Sequence, residues 1–243
     1  MSSRGTIRVA LDAMGGDRGP EVTVEGAVTA ARDFGSTVIL VGDEQLLQGQ
    51  LARHDVRGLA LSIRHAPEAV EMGESPMAAV RKKKQSSIRI GLDLVKRGEA
   101  EAFVSAGNTG AVMATALVVL GPLPGVDRPA IAVVLPTLTQ LAILLDVGAN
   151  VDCKARHLLQ FAIMGNVYAR DILGEPRPRV GLLSIGEEET KGNDLTREAF
   201  KEMGDEPSLN FIGNVEGRDV FSGTADVIVC DGFTGNVALK ISE

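Results

Sequence analysis

The sequence has few aromatic, histidine and cysteine side chains. Its 243 residues include no tryptophan, one tyrosine, three histidines and two cysteines. Two cysteines, Cys153 and Cys230, are too few for a disulfide framework and are typical of a reducing compartment. A core with so few aromatic rings must be built mainly from Val, Leu, Ile and Ala, which suits a buried parallel sheet covered by helices.

Three further absences exclude whole classes of protein. The formal net charge of −7 argues against wholesale nucleic-acid binding, because that needs a basic surface. No run of about 18 uninterrupted apolar residues occurs, so no membrane-spanning helix is predicted. Residues 1–8 lack the apolar core of a secretion signal. We therefore expect a cytoplasmic protein.

Short β-branched segments alternate with helical patterns along most of the chain, as in residues 7–11 and the long helical pattern 155–173. This alternation predicts a mainly parallel α/β sheet with helices on both faces. Residues 130–135 and 141–145 lie so close together that they predict a β-hairpin. The Gly-Pro-Leu-Pro-Gly segment 121–125 is the best candidate for a hinge between two lobes, although one rigid loop fits it equally well.

Five of the seven asparagines lie in glycine-bearing segments that follow predicted strands. They are Asn108 in Ser105-Ala106-Gly107-Asn108-Thr109-Gly110, Asn150 in Asp146-Val147-Gly148-Ala149-Asn150, Asn193 in Lys191-Gly192-Asn193, Asn214 in Gly213-Asn214-Val215-Glu216-Gly217, and Asn236 in Asp231-Gly232-Phe233-Thr234-Gly235-Asn236. Ligands of open α/β sheets bind at the carboxyl ends of the strands, where glycine and helix N-termini favour anions. Ordinary turn chemistry explains each segment alone, but five on one sheet edge favour a phosphate pocket.

Searches for other chemistry find little. The chain has no Gly-x-Ser-x-Gly elbow, no Gly-x-Gly-x-x-Gly after a strand and no Cys/His spacing typical of zinc. Cys153 precedes a predicted helix, which would favour its thiolate, yet a structural thiol is the better interpretation. Asp12 and Asp17 could hold Mg²⁺ with a phosphate or could cap a loop. We favour the cap and predict no metal and no cofactor.

The one dense basic run is Arg81-Lys82-Lys83-Lys84. Such a run is usually a solvated face. Its functional interpretation is a docking surface for an acidic protein or for an anionic membrane.

Four segments together resemble phosphate acyltransferase, a bacterial family of phospholipid synthesis. They are residues 7–20 (IRVALDAMGGDRGP), 105–116 (SAGNTGAVMATA), 146–154 (DVGANVDCK) and 226–236 (DVIVCDGFTGN). The resemblance covers essentially the whole chain, so residues 1–243 are expected to form one such domain. Family members are longer, which suggests that a C-terminal part is missing here. The resemblance implies a three-layer α/β/α sandwich in two lobes around a cleft, similar to phosphotransacetylase and isopropylmalate dehydrogenase, and usually a homodimer.

The resemblance also implies a reaction and its partners. Acyl-carrier protein bearing an acyl group and inorganic phosphate would give acyl phosphate, which would pass to a membrane glycerol-3-phosphate acyltransferase. Peripheral association with the inner face of the membrane is therefore expected. Phosphate is itself the nucleophile and a thiolate is the leaving group, so the enzyme needs to position phosphate and stabilise the oxyanion.

The turns and the resemblance together predict the site residues. Phosphate and oxyanion contacts are predicted from Asn108, Thr109, Lys191, Asn193, Thr234 and Asn236. Substrate-binding turns are completed by Ser105, Gly107, Gly110 and Gly235. Orientation is expected from Asn150, Asn214 and Glu216, and protonation of the leaving sulfur from Asp231. The alternatives are a phosphotransacetylase-like enzyme that uses acyl-CoA, a metal-dependent decarboxylating dehydrogenase, and a non-catalytic module that binds a carrier protein through residues 81–84.

Overall fold

The chain forms two compact units in a computed structural model that describes residues 7–242. Unit 1 is Met1–Gly121 and unit 2 is Pro122–Glu243. The boundary lies at the edge of segment 121–125, for which the sequence suggested a hinge. Movement at this hinge stays a prediction.

Unit 1 is built on a parallel sheet. Its elements are β1 (Arg8–Asp12), α1 (Gly19–Phe34), β2 (Thr37–Gly42), α2 (Glu44–Leu51), β3 (Leu61–His65), α3 (Pro76–Lys82), α4 (Ser87–Lys96), β4 (Ala102–Ser105) and α5 (Thr109–Val119). The strand order is β3-β2-β1-β4, with every pair parallel. Side chains alternate across β2, so that Val38 and Leu40 pack against α1 and α2, whereas Ile39 and Val41 pack against α4. Unit 1 therefore has three layers.

Unit 2 is built on a mixed sheet. Its elements are β5 (Ala132–Pro136), β6 (Leu141–Leu145), α6 (Ala155–Asp171), β7 (Arg179–Leu183), α7 (Asp194–Gly204), β8 (Asn210–Val215), a 3₁₀ helix (Gly217–Phe221), β9 (Val227–Val229) and α8 (Gly232–Ser242). The strand order is β5-β6-β9-β7-β8. Only β5 and β6 are antiparallel, which confirms the predicted hairpin.

The two faces of this sheet carry different helices. Ile143 and Val227 belong to a core shared with α6 and α7. Leu144 and Ile228, their neighbours along the strands, belong to a core shared with α8. Unit 2 is therefore a second three-layer arrangement, and the predicted α/β class is confirmed.

Two features of the fold differ from the expectation. The sequence predicted one mainly parallel sheet, but each unit has its own, because an apolar segment identifies a strand without identifying its neighbour. Helices α3 and α7 were not predicted. Within residues 7–242, no helix is both long enough and apolar enough to cross a bilayer.

The buried carboxylate of Asp226 joins the starts of β7 and β9 to the β5–β6 hairpin. It is 3% exposed and accepts hydrogen bonds from the Arg179 backbone N at 2.6 Å and from the guanidinium Nε and Nη2 at 3.0 and 2.8 Å. It also accepts one from Gln140 Nε2. Removing this carboxylate would leave the Arg179 backbone N–H and guanidinium without their buried acceptor.

We predict that Asp226→Ala lowers the free energy of unfolding by about 3 kcal/mol, as measured by urea denaturation. Asp55→Ala is the control, because the Asp55–Arg57 ion pair is exposed and such pairs contribute at most about 1 kcal/mol. Equal losses in the two variants would contradict the role assigned to Asp226.

Candidate functional site

Strands β7 and β9 of unit 2 are neighbours whose following helices lie on opposite faces of the sheet. The chain that leaves β7 leads to α7 on one face, and the chain that leaves β9 enters α8 on the other. Parallel neighbours that diverge in this way open a crevice at their carboxyl ends, which is where open α/β sheets bind ligands.

A cavity of about 370 Å³ lies in this crevice. Its lining consists of Leu183, Ser184, Ile185, Gly192, Asn193, Thr196, Cys230, Asp231 and Thr234. Helices α7 and α8 both begin at this cavity, and the N-terminal end of a helix favours negative charge. The arrangement therefore suits an anion. Ser184 and Thr196 were missed in the sequence, although Ser184 is the first polar residue after an apolar strand.

The start of α7 is closely packed. Asn193 Oδ1 accepts a hydrogen bond from Thr196 N at 2.9 Å and so caps the helix. Gly192 has a φ of 91°, and a Cβ atom there would collide with Thr196 Oγ1 and lie 3.0 Å from Ser184 Oγ. Only glycine allows this approach. The Asn193 side-chain N–H₂ group has no partner among the described residues and remains available as a donor.

Asp231 caps the start of α8. Its carboxylate accepts hydrogen bonds from Phe233 N at 3.0 Å, Thr234 N at 2.9 Å and Thr234 Oγ1 at 2.7 Å. The sequence suggested that Asp231 protonates a leaving sulfur, but the structure uses its oxygens as acceptors for the helix. The Thr234 hydroxyl donates its proton to Asp231, so its oxygen offers a ligand only lone pairs. The phosphate contact of Thr234 stays a prediction.

The turn at 146–150 is held by the carboxylate of Asp146, a residue that the sequence did not single out. The side chain is fully buried. It accepts five hydrogen bonds, from Ile131 N, Gly148 N, Ala149 N, Asn150 N and Asn150 Nδ2, at 2.7 to 3.2 Å. Asn150 Nδ2 also donates to Pro129 O at 2.7 Å, so both of its hydrogens are used inside the protein.

Asn150 therefore helps to position α8, and a contact with substrate stays a prediction. The backbone carbonyl oxygen of Asn150 accepts a hydrogen bond from the backbone N of Gly232, the first residue of α8, at 2.8 Å. Asn236, one turn into the same helix, lies beside Gly148 and is partly buried. Its side-chain amide makes no hydrogen bond within residues 7–242, so it can donate to a ligand.

Two expected orienting residues act on the loop that carries Lys191. Asn214 is 8% exposed, and its Nδ2 donates to Glu188 O at 3.0 Å. Glu216 pairs with Arg218 at 3.3 Å, and Arg218 pairs with Glu187 at 3.0 Å. These contacts hold the loop between β7 and α7. Lys191 is exposed, and its ammonium group forms no ion pair in the described part of the chain.

In unit 1 the corresponding turn follows β4. Ser105 Oγ donates to the buried Asp12 carboxylate at 2.7 Å and accepts from Gly107 N at 3.0 Å. Asp12 thus joins the loops after β1 and β4, in agreement with the loop-capping interpretation. Ser105 and Gly107 form the turn itself.

Asn108 is a structural cap of α5. Its Oδ1 accepts from Ala111 N at 2.9 Å, and its Nδ2 donates to Met72 O and Glu74 O, both at 2.9 Å. Both hydrogens of this amide are engaged within the protein, and its contact with phosphate stays a prediction. Thr109 is exposed and makes no side-chain hydrogen bond to the described residues, so it stays a candidate.

The five glycine–asparagine turns do not share one sheet. The first, 105–110, belongs to unit 1, and the other four belong to unit 2.

Two glycines have packing roles that the sequence did not indicate. A Cβ at Gly110 would lie 2.7 Å from Pro76 Cγ, and one at Gly235 would collide with the Asp146 carbonyl oxygen. Gly110 and Gly235 are required for close packing of helices.

Comparison with known proteins identifies the family. A family model described as "Fatty acid synthesis protein" matches residues 7–243. Over 240 residues the chain is 59% identical to the phosphate acyltransferase of Geobacter sulfurreducens, covering 98% of this chain and 68% of that protein. The chain belongs to the phosphate acyltransferase family. The relative from Desulforamulus reducens is 55% identical over 98% of this chain and 71% of its own length, so the expectation of longer family members is confirmed.

Solved structures show the same fold at low sequence identity. A phosphotransacetylase from Streptococcus pyogenes aligns over 98% of this chain and 81% of its own, with a TM-score of 0.71 and 20% identity. A 4-hydroxythreonine-4-phosphate dehydrogenase from Burkholderia phymatum aligns over 97% and 83%, with a TM-score of 0.59 and 16% identity. The predicted likeness of the family fold to phosphotransacetylase is confirmed.

Neither cysteine of this phosphate acyltransferase family member is suited to act as a nucleophile. Burial, with the nearby Asp146 and Asp231 carboxylates, raises the pKa of Cys153 to about 11. Burial also raises the pKa of Cys230. Both thiols are therefore protonated at neutral pH, which agrees with the structural interpretation of Cys153. Within residues 7–242, no group of three or more His, Cys, Asp or Glu is placed to hold a metal ion.

We predict that Gly235→Ala destabilises unit 2 or displaces the start of α8, because the added methyl group would overlap the Asp146 carbonyl oxygen and lie 2.9 Å from Cys230 Sγ. The melting temperature should fall by several degrees or more. Gly26→Ala in α1 is the control, since nothing lies within 4 Å of its added Cβ and alanine is preferred to glycine in helices by about 1 kcal/mol. Similar effects of the two changes would contradict the packing role of Gly235.

Proposed function

We propose that this chain transfers an acyl group from acyl-carrier protein to inorganic phosphate and releases acyl phosphate. The observation that carries the proposal is 59% identity to a phosphate acyltransferase over 98% of the chain. The crevice between β7 and β9 supports it, because two helices begin there and offer the positive ends that an anion prefers.

The available donors of unit 2 match the needs of this reaction. Lys191 offers a positive charge, and Asn193 and Asn236 offer amide hydrogens that no other part of the described chain uses. Phosphate and the oxyanion of the tetrahedral intermediate both need such donors, and one oxyanion contact typically contributes roughly 3 kcal/mol. We assign phosphate binding and oxyanion stabilisation to these three residues.

The chemistry requires no covalent intermediate on the protein. A phosphate oxygen attacks the thioester carbonyl carbon, and a C–O bond replaces the C–S bond. The carrier protein leaves as a thiolate, which takes a proton from water. The protonated state of Cys153 and Cys230 agrees with direct attack by phosphate, because neither sulfur is an activated nucleophile at neutral pH.

The basic run at 81–84 does not present four equivalent cations. Lys83 Nζ donates to Ala69 O at 2.7 Å and to Glu74 at 2.6 Å, so this residue secures the end of α3. Arg81, Lys82 and Lys84 are exposed. We propose that these three, without Lys83, form the docking surface for the acidic carrier protein.

The proposal extends to the partners of the reaction. An acyl phosphate is a reactive mixed anhydride, so direct passage to a membrane glycerol-3-phosphate acyltransferase would limit its hydrolysis. We propose that the enzyme is a homodimer that works peripherally at the inner face of the membrane, next to that acceptor.

The function is tested by supplying palmitoyl-carrier protein or palmitoyl-CoA with inorganic phosphate and trapping acyl phosphate with hydroxylamine. We expect phosphate-dependent acyl hydroxamate and free carrier thiol from the carrier-protein substrate. Product from the CoA thioester alone would favour the phosphotransacetylase-like alternative. Product from neither thioester would contradict acyl transfer by this chain.

Lys191→Met should raise the KM for phosphate roughly tenfold or more, because hydrogen bonds to charged groups are worth about 1.5 to 3 kcal/mol. Steady-state kinetics at varied phosphate measures the change. Lys201→Met in α7 is the matched control, since Lys201 is also an exposed lysine of unit 2 but lies in the last turn of α7, whereas Lys191 directly precedes Gly192 of the cavity lining. The same KM in both variants would remove Lys191 from the site.

A further inference from the structure

Ser184 borders the crevice, yet its hydroxyl has neither a hydrogen-bond partner nor exposure to water. The residue directly follows β7, and its backbone N donates to Val215 O at 2.9 Å. The main chain is therefore fixed, and the hydroxyl can change its surroundings only by rotation about the Cα–Cβ bond.

A buried hydroxyl without a partner costs free energy, and native proteins rarely leave one. The neighbouring groups do not supply an acceptor. A Cβ at Gly192 would lie 3.0 Å from Ser184 Oγ, and Thr196 Oγ1 donates to Asn193 O at 3.1 Å, but neither residue accepts a hydrogen bond from Ser184 Oγ. The hydroxyl thus carries a proton that the protein itself does not use, at the edge of a cavity where two helices begin.

Asn214 is another residue of unit 2 with a buried polar atom that has no partner among the described residues, but it is less suited than Ser184 to bind an anion. Asn214 Oδ1 is also buried without a partner in the described chain. However, its side-chain nitrogen Nδ2 already donates to the Glu188 backbone oxygen, and the residue is not part of the cavity lining. An unpartnered carbonyl oxygen would also repel an anion. Ser184 combines an unused donor with a position on the cavity wall.

We propose that Ser184 turns its hydroxyl into the crevice and donates a hydrogen bond to bound phosphate. Phosphate oxygens accept such a bond, which would satisfy the hydroxyl donor that has no partner within residues 7–242 of the protein. This inference rests on the proposed function, since it places phosphate in the β7–β9 crevice. It adds a substrate-binding residue to Lys191, Asn193 and Asn236.

The test is the binding of inorganic phosphate to the 243-residue chain by isothermal titration calorimetry, without any acyl donor. Ser184→Ala should weaken phosphate binding roughly tenfold. It should leave the melting temperature of the phosphate-free protein unchanged or higher, because an unpaired buried hydroxyl has been removed.

Ser87→Ala is the matched control. Ser87 Oγ is likewise buried without a partner, but it lies at the start of α4 in unit 1. We expect the wild-type dissociation constant for phosphate in this variant. The proposal is overturned if Ser184→Ala binds phosphate as the wild type does, if both serine variants weaken binding equally, or if the wild type does not bind phosphate.

The calorimetry and the hydroxylamine assay for acyl phosphate together separate this inference from the proposed function. Wild-type protein that binds phosphate but forms no acyl phosphate would contradict acyl transfer. The role of Ser184 would still be supported by weaker phosphate binding in Ser184→Ala than in Ser87→Ala. If Ser184→Ala transfers the acyl group with the wild-type KM for phosphate, the phosphate contact of Ser184 is contradicted and the acyl transfer function is supported.

Discussion

Parallel strands cannot be joined by a tight turn, so each must send the chain back across one face of its sheet. In unit 2 this constraint directs the chain from β7 to α7 and the chain from β9 to α8 on the other face. The crevice follows from that divergence. The positions of Asn193, Asp231 and Ser184 follow as well, because each lies at the point where a strand ends or a helix begins.

The acidic side chains near these turns serve the backbone. Asp146 accepts five hydrogen bonds, Asp231 accepts three, and Asp12 joins two loops of unit 1. A protein with a net charge of −7 that binds an anion must keep carboxylates away from it or satisfy them with donors. Here the loops and helix starts provide those donors, while Lys191 has no ion-pair partner in the described chain.

The two units use similar local devices on separate sheets. Each has a glycine-containing turn followed by an asparagine that caps the next helix, Asn108 for α5 and Asn193 for α7. The two caps differ in what remains available. The Asn108 amide hydrogens reach the backbone of residues 72 and 74, whereas those of Asn193 have no partner in the described chain. Equivalent capping residues therefore have different capacities to bind a ligand.

The sequence by itself determined the strands, the β5–β6 hairpin, the division near residue 121 as a candidate boundary, and the glycine–asparagine turns. Local periodicity and turn chemistry encode these features. Only the tertiary structure decided which donors are available. Asn108, Asn150 and Lys83 are used by partners far away in the chain or outside their own turn, and no spacing pattern reveals such partners. Ser184 was missed for the same reason, since only the tertiary structure shows that no hydrogen-bond partner from the described chain lies near its hydroxyl. The turns were visible in the sequence. Strand order decided which sheet each turn belongs to, and packing decided which of their side chains are left free to bind a ligand.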